Sequence, residues 1–246
     1  ATYYAKVRAY KQVSEGKIEG EWSNVLRVKV GKQVLVNEMW GFENPTVKIM
    51  PSYFYRAFSS MPVYADSLYK FLGGSRNINA PAFVESKGIC FGMVVAALAA
   101  KEYGTPSDNY GIDSLNNIKS MDQAGKFKSS ELNMTAQDAL IISQLMNYTY
   151  SKLQDDQRNK NNVIGLYQAV KDCQKGNCVP VAIGLKMGTE AHELLATGIK
   201  EETAEQVKIG VYDPNYPDNH EAELLLIKNN GSYDGWSYGD YNGTIS

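Results

Sequence analysis

Few side chains in this chain of 246 residues can do covalent chemistry, for it holds three cysteines and two histidines. Cys90 stands where a loop carrying Gly88 runs into Phe91 to Ala100, an apolar stretch with no charged residue. A thiol in the first turn of a helix meets unpaired backbone N–H groups and the positive end of the helix dipole. Both favour the thiolate, the nucleophilic form. His192, in AHELLATGI, and Asp213, in VYDPNYP, supply a base and a carboxylate. Together the three are the parts of covalent catalysis by a thiol: Cys90 attacks, His192 carries the proton, and Asp213 orients the imidazole and balances its charge. Each also has a plainer reading. A cysteine on an apolar helix fills space as any small hydrophobe does, and His192, after the charged loop at Glu190, could be a satisfied structural histidine. Asn215 is a second group able to orient the imidazole, and His220, among Asp218, Asn219 and Glu221, reads as a solvated surface residue.

The elements that must position these groups follow from the hydrophobic period. Glu85 to Gly104 predicts a loop and then a buried helix opening at Cys90, with Gly104 ahead of Thr105 and Pro106 as its stop. Thr135 with Asp138 is a capping-box spacing that opens a second helix through Leu140, Ile141, Leu145 and Met146. A third covers Val163 to Lys171, with Val163, Leu166, Tyr167 and Val170 on one face, and a short one spans Ala65 to Leu72 before Gly73 and Gly74. Thr105 to Ser129 reads as a polar loop. Then the period changes: VPVAIGLK, ELLATGIK, QVKIGVYD and AELLLIK are apolar or alternating runs separated by turns, which predicts an antiparallel sheet. His192 stands just before the second run and Asp213 ends the third. Neighbouring strands lie about 4.7–4.9 Å apart, so the two side chains can meet. Ahead of this unit, Tyr3 to Tyr10 and Trp22 to Val30 alternate around a Gly- and charge-rich connection, predicting a hairpin, and Val34 to Pro51 reads as a linker.

The GICFGM block at Cys90, the AHELLATGI block at His192 and the VYDPNYP block at Asp213, in that order, resemble the papain-like cysteine peptidases of bacteria, in particular the bacteriocin-processing, C39-like group. The resemblance covers residues 41–246, and the cysteine and YDPN blocks are its more specific parts. It implies an α+β, papain-like fold in which the helix carrying Cys90 packs on an antiparallel sheet. It also implies hydrolysis of a peptide or protein substrate through a thioester on Cys90, with His192 and Asp213 completing the triad and neither cofactor nor metal required. One departure stands out. Such peptidases commonly place a glutamine shortly before the cysteine to help hold the oxyanion, and Val84 to Ile89 contains none. The Cys90 N–H, with Ser86 or another donor, would have to serve. Transglutaminase-like acyl transfer is a second reading; there the histidine is usually followed by tryptophan, whereas Glu193 and Leu194 follow here. A non-catalytic adhesive or binding module of a bacterial surface protein is a third. Residues 1–32 resemble the last strands of a fibronectin type III domain, a partial module and a hairpin remnant, with neighbouring modules of that kind expected in a longer chain.

Composition sets limits on all of this. At 43% hydrophobic the chain can bury a sizeable core, and a net charge of −2 signals no nucleic-acid partner. No apolar run is long enough to cross a bilayer. Cys173 and Cys178, around Gln-Lys-Gly-Asn, are either a short-loop disulfide or two idle thiols. One pair plus a free thiol suits a secreted thiol enzyme, so the expected location is extracellular or at a cell surface.

Overall fold

The computed structural model of this chain describes residues 2–5, 10–13, 16–19, 26–29, 39–74, 83–102, 111–129, 133–154, 163–175, 181–187 and 190–244. Near the N-terminus β1 (Thr2–Ala5), β2 (Tyr10–Val13), β3 (Gly16–Glu19) and β4 (Leu26–Lys29) form two antiparallel ribbons, β1 with β4 and β2 with β3. The expected single hairpin is thus an outer pair, and its connection holds a second pair. Charge and glycine mark a connection, but they do not bar a ribbon whose backbone hydrogen bonds are its main tie.

From Met39 onward the expected linker is part of the core. Met39, Trp40 and Phe42 are buried, and Trp40, wholly inaccessible, donates its indole N–H to the Met93 carbonyl at 2.8 Å. An apolar, aromatic stretch of this kind gains more from burial than a solvated linker would, so it lies against the helices as a strap. The strap continues into β5 (Val47–Ile49), followed by α1 (Pro51–Ala57) and α2 (Pro62–Phe71), both opened by a proline whose missing N–H costs nothing in a first turn. β6 (Val84–Ser86) returns to pair with β5, Val47 opposite Ser86, and delivers the chain to α3 (Cys90–Glu102). The stop expected at Gly104 lies outside the described residues.

The expected polar loop after α3 has structure where it is described. A single 3₁₀ turn at Leu115–Asn117 precedes α4 (Met121–Ala124), and β7 (Lys128–Ser129) pairs with β8 (Met134–Thr135). These elements are too short for any period to show. α5 (Ala136–Gln154) opens on a reciprocal capping box: the Thr135 N–H donates to Asp138 Oδ2 and the Asp138 N–H to Thr135 Oγ1, both at 3.0 Å. Tyr53 and Arg56 of α1 also bond the Asp138 carboxylate, at 3.0 Å each, so the start of α5 is tied to α1. α5 packs directly on α3 at Gly92, where a Cβ would stand 2.2 Å from the Leu140 carbonyl oxygen. Only glycine permits that approach. α6 (Val163–Gln174) completes the helices among the described residues.

The C-terminal part is a six-stranded antiparallel meander of β9 (Ala182–Met187), β10 (Glu190–Glu202), β11 (Gln206–Tyr212), β12 (Glu223–Asn229), β13 (Ser232–Tyr238) and β14 (Tyr241–Thr244), each paired with the next. Period-two alternation lets it serve two cores. Leu195 and Tyr212 join the core made by the strap and helices α1 to α5. Leu194, Ala196 and Val211 join the second core, which includes Val163 and Val170 of α6. The architecture is therefore α+β, with α3 packed against both α5 and β10. No described helix is long and apolar enough to cross a membrane.

Candidate active site

Each member of the expected triad is placed by a different device. Ile89, buried, caps α3 by accepting from the Met93 N–H at 2.9 Å, so the thiol of the next residue falls on the first turn; Cys90 itself is half-buried. His192 lies inside β10, opposite Leu185 of β9, rather than just ahead of the strand. Leu195 pairs with Tyr212, and continuing that register by one residue sets Leu194 opposite Asp213. His192 is then the diagonal neighbour of Asp213 on the same face, a separation that a ring and a carboxylate can span.

They do span it. His192 Nε2 and Asp213 Oδ1 are 2.7 Å apart, with His192 8% exposed and Asp213 1% exposed. The imidazole also hydrogen-bonds Cys90. Because Nε2 is taken by Asp213, Nδ1 is the ring nitrogen left for the thiol. The structure therefore brings Cys90, His192 and Asp213 into one connected group. Burial works against a charge on His192, but the hydrogen bonds to Asp213 and Cys90 and their charges outweigh it and raise its pKa to about 9. Burial likewise pushes the Asp213 carboxyl up, yet hydrogen bonds from His192 and Tyr238, the His192 charge and the Asn215 N–H hold it below its ordinary range. The Asn215 N–H donates to Oδ1 at 2.7 Å and the Tyr238 hydroxyl to Oδ2, so both carboxylate oxygens are engaged. Tyr238 is itself pushed well up, by burial first and then by Asp213, and keeps the proton it donates.

The backbone at the thiol has a further asymmetry. A helix leaves its first N–H groups without intrahelical partners. Here the Ile89 N–H donates to Asn44 Oδ1 at 2.5 Å and the Gly92 N–H to Gln144 Oε1 at 2.9 Å. The Cys90 and Phe91 N–H groups have no acceptor among the described residues, and so are two donors beside the thiol. Ser86, considered above as an oxyanion donor, gives its hydroxyl hydrogen to the Gly88 carbonyl at 2.5 Å.

Asp213, not Asn215, bonds the imidazole; the Asn215 side chain instead accepts from Asn44 at 2.9 Å. His220 lies in an exposed turn. Cys178 lies outside the described residues, and the disulfide reading with it. Three residues of the site were given no part beside the triad by the sequence: Asn44, Gln144 and Tyr238, the last in a tyrosine-rich tail, Tyr233 to Tyr241, that reads as strand and turn or as groove lining. Gln144 carried a signal, since it sits on the face of α5 shared by Leu140, Ile141 and Leu145 and is 7% exposed. A polar residue on an apolar stripe needs a partner. Among the described residues no group of three or more His, Cys, Asp or Glu is placed to hold a metal ion.

The chain matches no protein-family model, no curated protein and no solved structure.

Proposed function

We propose that this chain is a cysteine-type peptidase with a papain-like arrangement of its α+β fold. The observation that carries the reading is a single buried imidazole that bonds Asp213 through Nε2 and Cys90 through its remaining side. A raised His192 pKa favours an imidazolium beside a thiolate, the reactive resting state of such a pair. In the first half of the reaction Cys90 Sγ forms a bond to the substrate carbonyl carbon, and the oxygen takes up the negative charge. The N–H groups of Cys90 and Phe91 supply the donors that a preceding glutamine would otherwise share. His192 then gives its proton to the leaving amine, the C–N bond breaks, and a thioester remains on Cys90. In the second half His192 takes a proton from water, the resulting hydroxide displaces the thiolate, and a carboxylic acid leaves. Asp213 holds the ring in one orientation throughout, and Tyr238 and Asn215 hold Asp213.

On this reading the N-terminal ribbons are the end of a fibronectin type III-like module and the protein works outside the cell or at its surface. The test is digestion of a complex peptide mixture by the purified chain, with new amino termini identified by mass spectrometry. Cleavage by the wild type that is lost in both Cys90→Ser and His192→Ala is the expected result. Ammonia released from a glutamine-containing protein mixed with a primary amine, without cleavage, would instead identify transglutaminase-like transfer. Neither activity, together with Cys90 labelling that ignores His192, would leave a binding module.

A further inference from the structure

The strap holds one residue that touches both halves of the site. The β5–β6 register, with Val47 opposite Ser86, continues to set Asn44 opposite Ile89, the residue before the thiol. The Asn44 side chain accepts the Ile89 N–H at 2.5 Å and donates its own amide hydrogen to Asn215 Oδ1 at 2.9 Å, while its backbone N–H donates to the Pro214 carbonyl at 2.7 Å. Asn215 in turn donates its N–H to the same Asp213 oxygen that bonds His192. A closed ring results: Cys90, Ile89, Asn44, Asn215, Asp213, His192 and back to Cys90. The rest of the loop is shaped to admit the carboxamide, because a Cβ on Gly88 would stand 2.6 Å from Asn44 Nδ2.

We infer that Asn44 is a positioning residue for the proposed reaction, whose carboxamide sets the separation between the loop that carries the thiol and the turn that carries Asp213. The chemistry asks for an amide. The side chain must accept from one backbone group and donate to a side-chain oxygen on the other side, with a short stem, and neither alanine nor leucine can do either. Without it the Ile89 N–H loses its acceptor and Asn215 Oδ1 its donor, and the remaining Asn44 N–H bond holds only the strap to the Pro214 carbonyl and not the thiol loop, so Cys90 and His192 drift from the geometry their proton transfer needs. The inference rests on the peptidase reading.

The test is the rate of Cys90 alkylation by iodoacetamide against pH, resolved by mass spectrometry, in wild type, Asn44→Ala, Asn215→Ala and the double variant, with thermal unfolding followed in parallel. Asn44→Ala is expected to slow alkylation at pH 6 about tenfold, a displaced pair being less reactive than a set one, and to move the rise of the profile to higher pH. Asn215→Ala leaves the Ile89 and Pro214 bonds in place, so it should fold even if Asn44→Ala does not, and it should shift the profile in the same direction by less. The double variant should be no slower than Asn44→Ala alone, because both substitutions break one connection. A structural role confined to the fold would lower the unfolding temperature and leave the profile in place. Profiles that coincide with the wild type, or effects that add, overturn the inference while the peptidase reading stands. A wild-type profile that is indifferent to His192→Ala overturns the peptidase reading and leaves Asn44 nothing to position.

Discussion

At the scale of single residues, the site is a set of hydrogen bonds that push two ionisable groups in opposite directions. His192 is pushed toward its charged form and Asp213 is held in its charged form by the same contact. His192→Ala removes the partner of the thiolate, so Cys90 alkylation near pH 6 should fall by at least roughly tenfold; Asp213→Ala, which removes only the orienting group, should act in the same direction but less. Tyr238→Phe removes a donor to a buried carboxylate, an interaction of about 1.5–3 kcal/mol, and should lower peptide cleavage while leaving the thiol accessible to iodoacetamide. Cleavage unchanged in Tyr238→Phe would show that Asn215 and His192 suffice to hold Asp213. These residues divide sharply in how far they could be read in advance. Cys90, His192 and Asp213 each sit in a short block whose chemistry is local. Asn44, Gln144 and Tyr238 act across gaps of 45, 52 and 25 residues, on Ile89, Gly92 and Asp213, and nothing next to them in the chain names the partner.

Among the elements, the contact of α3 with α5 bears most on the chemistry, because it fixes both the axis and the donors of the helix that carries the thiol. Gly92 allows the approach, and Gln144 then reaches the Gly92 N–H. In Gly92→Ala the new methyl would meet the Leu140 carbonyl oxygen at 2.2 Å, and overpacking of this kind commonly costs about 1–3 kcal/mol. Urea unfolding should show that loss, together with slower Cys90 alkylation as the helix shifts; full stability would mean that α3 and α5 can part without consequence. Long elements with a sustained period were legible: the helix at Cys90, the capping box of α5, and four strands of the sheet. The strap was not, because three residues, Met39, Trp40 and Phe42, are too few to set a period and their burial comes from the helices that arrive later. The 3₁₀ turn and the four-residue α4 hide in a polar stretch for a related reason, being no longer than about one turn.

For the whole molecule, the buried pair ties stability to pH on both sides. His192 has its pKa raised from 6.5 to about 9, so its contribution is complete below 6.5 and is lost as the pH rises through 9. Asp213 is lowered from 3.8, so its contribution is complete above 3.8 and is lost as the pH falls through its depressed value. Unfolding free energies of wild type and His192→Gln, measured by urea titration across this range, should differ most between about pH 4 and 6.5 and converge toward pH 9 and above. A difference that stays constant across pH would mean that the imidazole is not charged in the folded chain. The ring of contacts around the thiol joins the strap to the sheet, with Asn44 and Cys90 early in the chain and His192, Asp213 and Asn215 late. Translation therefore delivers Cys90 long before His192 and Asp213. Under the peptidase reading, a nascent chain carries a dormant sulfur past every peptide it meets, its own included, and acquires the means to cut only once β11 and the Asp213 turn have been laid down.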